Sequence, residues 1–192
     1  NGINDLNIPF NKPSFIGREI EYIKDAISYG QISGDGKYTK KCSVLLETTF
    51  NVKKVLLTTS CTHALEMASI LLNIGPRDEV IVPSFSFVST LNAFVLRGAK
   101  PVFVDIRKDT LDFDERLLEN LITKRTKAIV VVHYAGVGCQ MDAILEIANK
   151  YKIPVIEDNA HGLFGKYKNS YLGTMGTFST QSFHDTKNFS CG

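Results

Sequence analysis

The chain has 192 residues, 44% of them apolar, and its 22 Lys and Arg nearly balance 20 Asp and Glu, for a net charge of +2. That length supports one sizeable core, and the near-neutral balance argues against binding nucleic acid or an anionic membrane through bulk charge. No apolar run approaches the ~18 residues of a membrane span and no signal peptide stands at the N-terminus, so a cytoplasmic protein is expected.

Residues 7–15 are polar, contain Pro9 and Pro13, and read as an extended arm. From Gly17, the residues Ile20, Ile23 and Ile27 fall on one helical face, and Gly30 ends that helix. Gly34-Asp35-Gly36 marks a turn. A second helix is predicted over 38–50, with Val44, Leu45 and Phe50 facing inward. A regular alternation follows: strand 55–57, helix 62–72 with Leu65, Ala68, Leu71 and Leu72 on one face, strand 79–82, helix 88–96, strand 101–104 and helix 115–121. Then come strand 128–133, helix 141–150, strand 154–156, a small hairpin within 162–176, and strand 177–183. Strand–helix alternation with short loops implies a mostly parallel sheet covered by helices on both faces, an α/β fold. Cys42, Cys61, Cys139 and Cys191 are scattered without C-x-x-C spacing, so they read as reduced thiols rather than a zinc site.

In such sheets ligands bind beyond the carboxyl ends of the strands. After 55–57 comes Thr58-Thr59-Ser60-Cys61-Thr62-His63, hydroxyls and open N–H groups at a helix N-terminus. Ordinary capping by Ser60 or Thr62 is the plainer reading of that run alone, and an anion site the sharper one. Neither G-x-G-x-x-G nor G-x-x-x-x-G-K-[ST] occurs. After 79–82 come Phe85 and Phe87. After 128–132 comes His133, which by itself reads as a hydrogen-bonded structural histidine. After 154–156 comes Glu157-Asp158-Asn159-Ala160-His161, where a buried carboxylate needs a partner. Lys187 alone reads as a surface lysine. Together, an anion-binding helix start, an aromatic face, a strand-end Asp and a Lys are what pyridoxal 5'-phosphate (PLP) requires.

The runs Thr59-Ser60-Cys61-Thr62-His63-Ala64-Leu65, Asp78-Glu79-Val80-Ile81-Val82-Pro83-Ser84-Phe85, Val155-Ile156-Glu157-Asp158-Asn159-Ala160-His161 and Ser182-Phe183-His184-Asp185-Thr186-Lys187-Asn188 carry a resemblance. In order and spacing they resemble the DegT/DnrJ/StrS sugar aminotransferases. The resemblance implies PLP as cofactor and the large domain of the aspartate aminotransferase fold (fold type I). Lys187 stands at the Schiff-base lysine, Asp158 at the partner of the pyridine nitrogen and Phe87 at the aromatic that stacks on the ring. Ser182 and the backbone of Thr62 and His63 stand at the phosphate ligands. His161 stands where many members carry Gln, facing the 3'-oxygen. Relatives that dehydrate sugars carry His at the lysine position, so Lys187 implies transamination.

The implied reaction moves an amino group from glutamate to a 4-keto-6-deoxy nucleotide sugar bound to dTDP, in a homodimer. The implied organisation is an arm and first helix over 1–30 and an incomplete PLP-binding large domain over 31–192, with the small C-terminal domain absent. Three alternatives stay open. A truncated, inactive homologue would keep every motif. A Rossmann-type oxidoreductase would need a glycine-rich turn that 58–63 lacks, and a sugar-binding module would not require Lys187 beside Asp158.

Overall fold

The computed structural model describes residues 9–12 and 15–191. The helices are α1 (Glu19–Ser28), α2 (Lys37–Phe50), α3 (Cys61–Leu71), α4 (Ser89–Val95), α5 (Glu115–Leu121) and α6 (Met141–Tyr151). The strands are β1 (Glu79–Pro83), β2 (Lys100–Val104), β3 (Thr126–Val132), β4 (Val155–Asp158), β5 (Lys166–Tyr167), β6 (Ser170–Tyr171) and β7 (Phe178–Thr180). Five strands form one sheet in the order β2-β1-β3-β4-β7, and every neighbouring pair in it is parallel. β5 and β6 form a separate antiparallel hairpin.

Alternating side chains of each strand enter two cores, because successive Cβ atoms point to opposite sheet faces. Ile81, Ile129, Val131 and Val155 pack with Leu118 of α5 and with Met141, Ile144 and Ala148 of α6. Val80, Val82, Ala128, Val130 and Ile156 pack with Leu65 and Ala68 of α3 and with Ala93 and Phe94 of α4. Both faces of the sheet are therefore buried, which is why β3 and β4 read as continuous apolar runs rather than as alternating ones. This is the mostly parallel α/β architecture expected from the sequence.

Four expectations are corrected. Residues 55–57 form no strand, and Leu56 and Leu57 are exposed. A strand exists only where its N–H and C=O groups pair with a neighbour, and no described strand pairs with this segment. β7 bonds to β4 and leaves its other side as a sheet edge. Val44 and Leu45 of α2 do not face inward, being 59% and 64% exposed. Leu71 likewise lies outside the core. The helical period was right, but no layer among the described residues covers those faces. The isoleucines of α1 share this exposure. The last strand is shorter than 177–183, because pairing with β4 stops at Thr180. Of the expected N-terminal arm, 9–12 and 15 carry no regular structure, whereas 7–8 and 13–14 lie outside the described residues. No helix among the described residues is long and apolar enough to cross a membrane.

Candidate active site

The site grows from the carboxyl end of β4. Strand alternation sends Glu157 to the α5/α6 side, with Val155, and Asp158 to the α3/α4 side, with Ile156. Glu157 is 0% exposed. Its Oε2 accepts from His133 Nε2 at 2.9 Å and from the Gly173 N–H at 2.8 Å. Its Oε1 accepts from the N–H groups of Met175 at 2.7 Å and Gly176 at 2.5 Å. His133 Nδ1 accepts from the Cys139 N–H at 3.2 Å, which assigns the ring proton to Nε2. Burial pushes the Glu157 carboxyl up, but the His133 ring and these N–H groups outweigh it and hold the carboxyl below its usual value. Gly176 permits this approach: a Cβ there would meet the Val155 carbonyl oxygen at 2.7 Å.

Asp158 is 4% exposed and has fewer donors. Thr90 Oγ1 donates to Oδ2 at 2.7 Å, and the Ala160 N–H donates to Oδ1 at 3.2 Å. Burial raises its pKa, and the two hydrogen bonds and the fields of His161 and Lys187 oppose the rise without cancelling it. An ionised carboxylate has about four lone-pair sites, so Asp158 keeps acceptor capacity for a cation. His161 is pushed down by burial and then by the Lys187 charge. Burial pushes the Cys61 thiol up to about 11, with the Asp158 charge adding to the rise. Asp158 thus feels the charges of His161 and Lys187, and Cys61 feels that of Asp158.

At the start of α3, the extended Ser60 caps the helix, its Oγ accepting from the His63 N–H at 3.1 Å. The N–H groups of Cys61 and Thr62 belong to the first turn, where a helix supplies no acceptor, and neither donates a backbone hydrogen bond among the described residues. Of the expected main-chain pair, Thr62 therefore has an open N–H and His63 a capped one. Cys61 supplies a second open N–H. Thr62 Oγ1 donates to Ser89 Oγ at 2.9 Å and ties α3 to α4.

Ser182 is buried just beyond β7, and its Oγ accepts from the His184 N–H at 3.4 Å. The half-buried Lys187 follows in a turn closed by its own N–H on the His184 carbonyl at 2.9 Å. It lines a cavity of about 420 Å³ with Phe10, Asn11, Ala135, His161, Thr186 and Asn188. The arm is tied to this turn by Asn11 Nδ2, which donates to Asp185 Oδ2 at 3.2 Å. The cavity thus brings Lys187 and His161 together, whereas Thr62, His63, Phe87, Asp158 and Ser182 lie outside its lining. Phe87, beyond β1, is 69% exposed. The aromatic contacts beside the cavity come instead from Tyr134, whose ring centroid lies 4.6 Å from Phe85 and 5.3 Å from His161.

Sequence reasoning missed Thr90 and Tyr134 as neighbours of the site. Thr90 sits 68 residues from the carboxylate it bonds, a separation that no local signal spans. Among the described residues no group of three or more His, Cys, Asp and Glu could hold a metal ion.

The DegT/DnrJ/EryC1/StrS aminotransferase family model matches residues 13–192. An uncharacterized protein of Methanocaldococcus jannaschii is 40% identical over 190 residues, which are 99% of this chain and 49% of that protein. A Streptococcus pneumoniae structure described as a sugar aminotransferase is 34% identical with a TM-score of 0.89, covering 96% of this chain and 50% of the other. It has been solved in apo, PLP and PMP forms. Helicobacter pylori PseC, an aminotransferase involved in pseudoaminic acid biosynthesis, is 29% identical with a TM-score of 0.86, covering 95% and 49%. The chain spans about half the length of the relatives it matches.

Proposed function

The chain belongs to the DegT/DnrJ/EryC1/StrS aminotransferase family, and from that premise we propose that it is the cofactor-binding part of a PLP-dependent sugar aminotransferase. On this reading, 31–192 belong to the large domain, 1–30 supply the arm and first helix, and the whole enzyme is a homodimer. The amino donor is glutamate. The acceptor is a 4-keto-6-deoxy nucleotide sugar, dTDP-4-dehydro-6-deoxy-D-glucose, used to build enterobacterial common antigen or a related surface polysaccharide. The acceptor rests on Asn92-Ala93-Phe94-Val95-Leu96-Arg97-Gly98-Ala99-Lys100 and His133-Tyr134-Ala135-Gly136-Val137, runs similar to those of the corresponding transaminase.

The observation that carries the reading is Asp158, a buried carboxylate with only two described donors and a raised pKa, within electrostatic reach of Lys187. A buried acceptor of this kind is stabilised by a cation brought to it. A protonated ring nitrogen is such a cation, and the residues present fit the cofactor. When bound, PLP supplies a ring that draws electrons from the substrate α-carbon. Thr90 and Ala160 orient Asp158 so that its carboxylate holds a proton on the ring nitrogen. The open N–H groups of Cys61 and Thr62, at the positive end of α3, would receive the phosphate, with Ser182 Oγ as a further ligand. Phe87 offers its face to the ring. The Lys187 amine would act as the general base, taking the proton at Nζ from the substrate α-carbon.

Adding PLP to this chain should produce a visible absorption band that Lys187→Ala removes and Asp158→Asn weakens. No band, or a band unchanged in Lys187→Ala, would overturn the reading. The uncovered apolar faces of α1 and α2 favour a second reading, in which this chain by itself is an inactive structural or dimerising piece. That reading predicts no PLP uptake by this chain.

A further inference from the structure

The turn Tyr134–Gly136 forms part of the cavity wall and is a short 3-10 helix. The first N–H groups of any helical turn lack an internal acceptor. Here the Gly136 N–H closes the turn on the His133 carbonyl at 3.1 Å, which leaves two N–H groups to be satisfied from elsewhere. The Tyr134 N–H goes to Asp112 Oδ1 at 3.1 Å. The Ala135 N–H goes to His161 Nδ1 at 3.1 Å. Ala135 is left-handed, at φ 53° and ψ 20°, a conformation that a residue with a Cβ keeps only when its surroundings impose it.

We propose that Asp112 is a positioning residue: by holding the Tyr134 N–H it aims the Ala135 N–H at His161 Nδ1 and locks His161 as an Nε2–H donor in the Lys187 cavity. The two N–H groups belong to consecutive residues, so fixing one orients the other. A ring nitrogen that accepts from a backbone N–H carries no proton of its own, which leaves the ring proton on Nε2. Nε2 has no partner among the described residues. Asp112 is 2% exposed and its Oδ2 has no partner either. Only Oδ1 makes a bond that bears on the site, and that bond is the one to Tyr134. The backbone also passes close here: a Cβ on Gly136 would meet the His161 carbonyl oxygen at 3.2 Å. A slack turn would therefore move His161 as well. Resting on the PLP reading, this makes His161 a fixed neutral donor to an oxygen of the bound molecule rather than an acid or base.

The test is nitrogen-15 NMR of histidine side chains in the ligand-free chain above neutral pH, with the His161 signals identified by their loss in His161→Gln. His161 Nδ1 should resonate as an unprotonated ring nitrogen, far downfield of Nε2. In Asp112→Ala the two nitrogens should move together as the tautomers mix. Asp112→Asn keeps an oxygen for the Tyr134 N–H and should restore the locked pattern. A protonated Nδ1 in the wild type, an unchanged pattern in Asp112→Ala, or an Asn variant that behaves like the Ala variant would overturn the proposal. Should Asp112→Ala not fold, amide exchange in the wild type decides. Protected Tyr134 and Ala135 N–H groups support the lock, and exchange at the rate of an open loop overturns it. The spectrum is read without PLP. A locked tautomer with no visible band on PLP addition defeats the proposed function alone, and a visible band with mixed tautomers defeats this inference alone.

Discussion

Glu157 and Asp158 are consecutive, end the same strand and are almost equally buried, yet they face opposite sides of the sheet and meet different surroundings. On the α5/α6 side, Glu157 takes four donors, three of them backbone N–H groups of the segment after β6. On the α3/α4 side, Asp158 takes two. The consequence is visible in proton affinity, with Glu157 held below its ordinary value and Asp158 lifted above it. Burial alone does not tell a structural carboxylate from one available to a ligand. The number of donors already committed does, because each donor removes a reason for the group to bind anything else.

The sharpest way to break this comparison is Glu157→Ala. It strands the buried His133 ring and three partly buried backbone N–H groups, and breaking a buried charged network from one side costs about 3–5 kcal/mol. Urea unfolding should show a loss of that size. A loss below about 1 kcal/mol, the net worth of one ordinary hydrogen bond, would mean that the four bonds do not hold the segment after β6. A smaller effect is expected on the other face. Thr90→Val removes one donor from Asp158, and a hydrogen bond to a charged group is worth about 1.5–3 kcal/mol. The same variant should lift the Asp158 pKa further and weaken PLP uptake, which Glu157→Ala should affect only through lost folding.

The smallest effect is a slope with pH, and its sign separates the two groups. Asp158 has a raised pKa, so its contribution is fully present below the ordinary value of 3.8 and is lost as pH rises through its folded value. Asp158→Asn cannot take up that charge, so its unfolding midpoint should gain on the wild type as pH rises. Glu157 has a lowered pKa, so its contribution is present above the ordinary 4.5 and is lost as pH falls through its folded value. Paired thermal melts across the acid range would show the two slopes, and parallel curves for Asp158→Asn and the wild type would remove the distinction.

Much of the layer order was legible in the chain. The helical spacing in 115–121 gave α5 to the residue, and the continuous apolar run before His133 gave β3 to within two residues, because burial on both faces and the 3.6-residue period leave local marks. The segment 55–57 has the same apolar character and forms no strand, since a strand is a relation between two segments and its composition names only one of them. Val44 and Leu45 fail for a related reason: a helical face can be read from spacing, but whether anything covers it cannot.

The candidate site divides in the same way. Local sequence determined which chemical groups end the strands: the carboxylates after Ile156, the hydroxyls and N–H groups that open α3, and the lysine beyond β7. Only the tertiary structure decided their states. It supplied Thr90 to Asp158 and His133 to Glu157, and it joined Asp112, Tyr134, Ala135 and His161 in a line across more than one loop. The physical reason is range. Periodicity and capping act over a few residues, whereas the proton affinity of a buried group is set by donors and charges that the fold carries in from far along the chain.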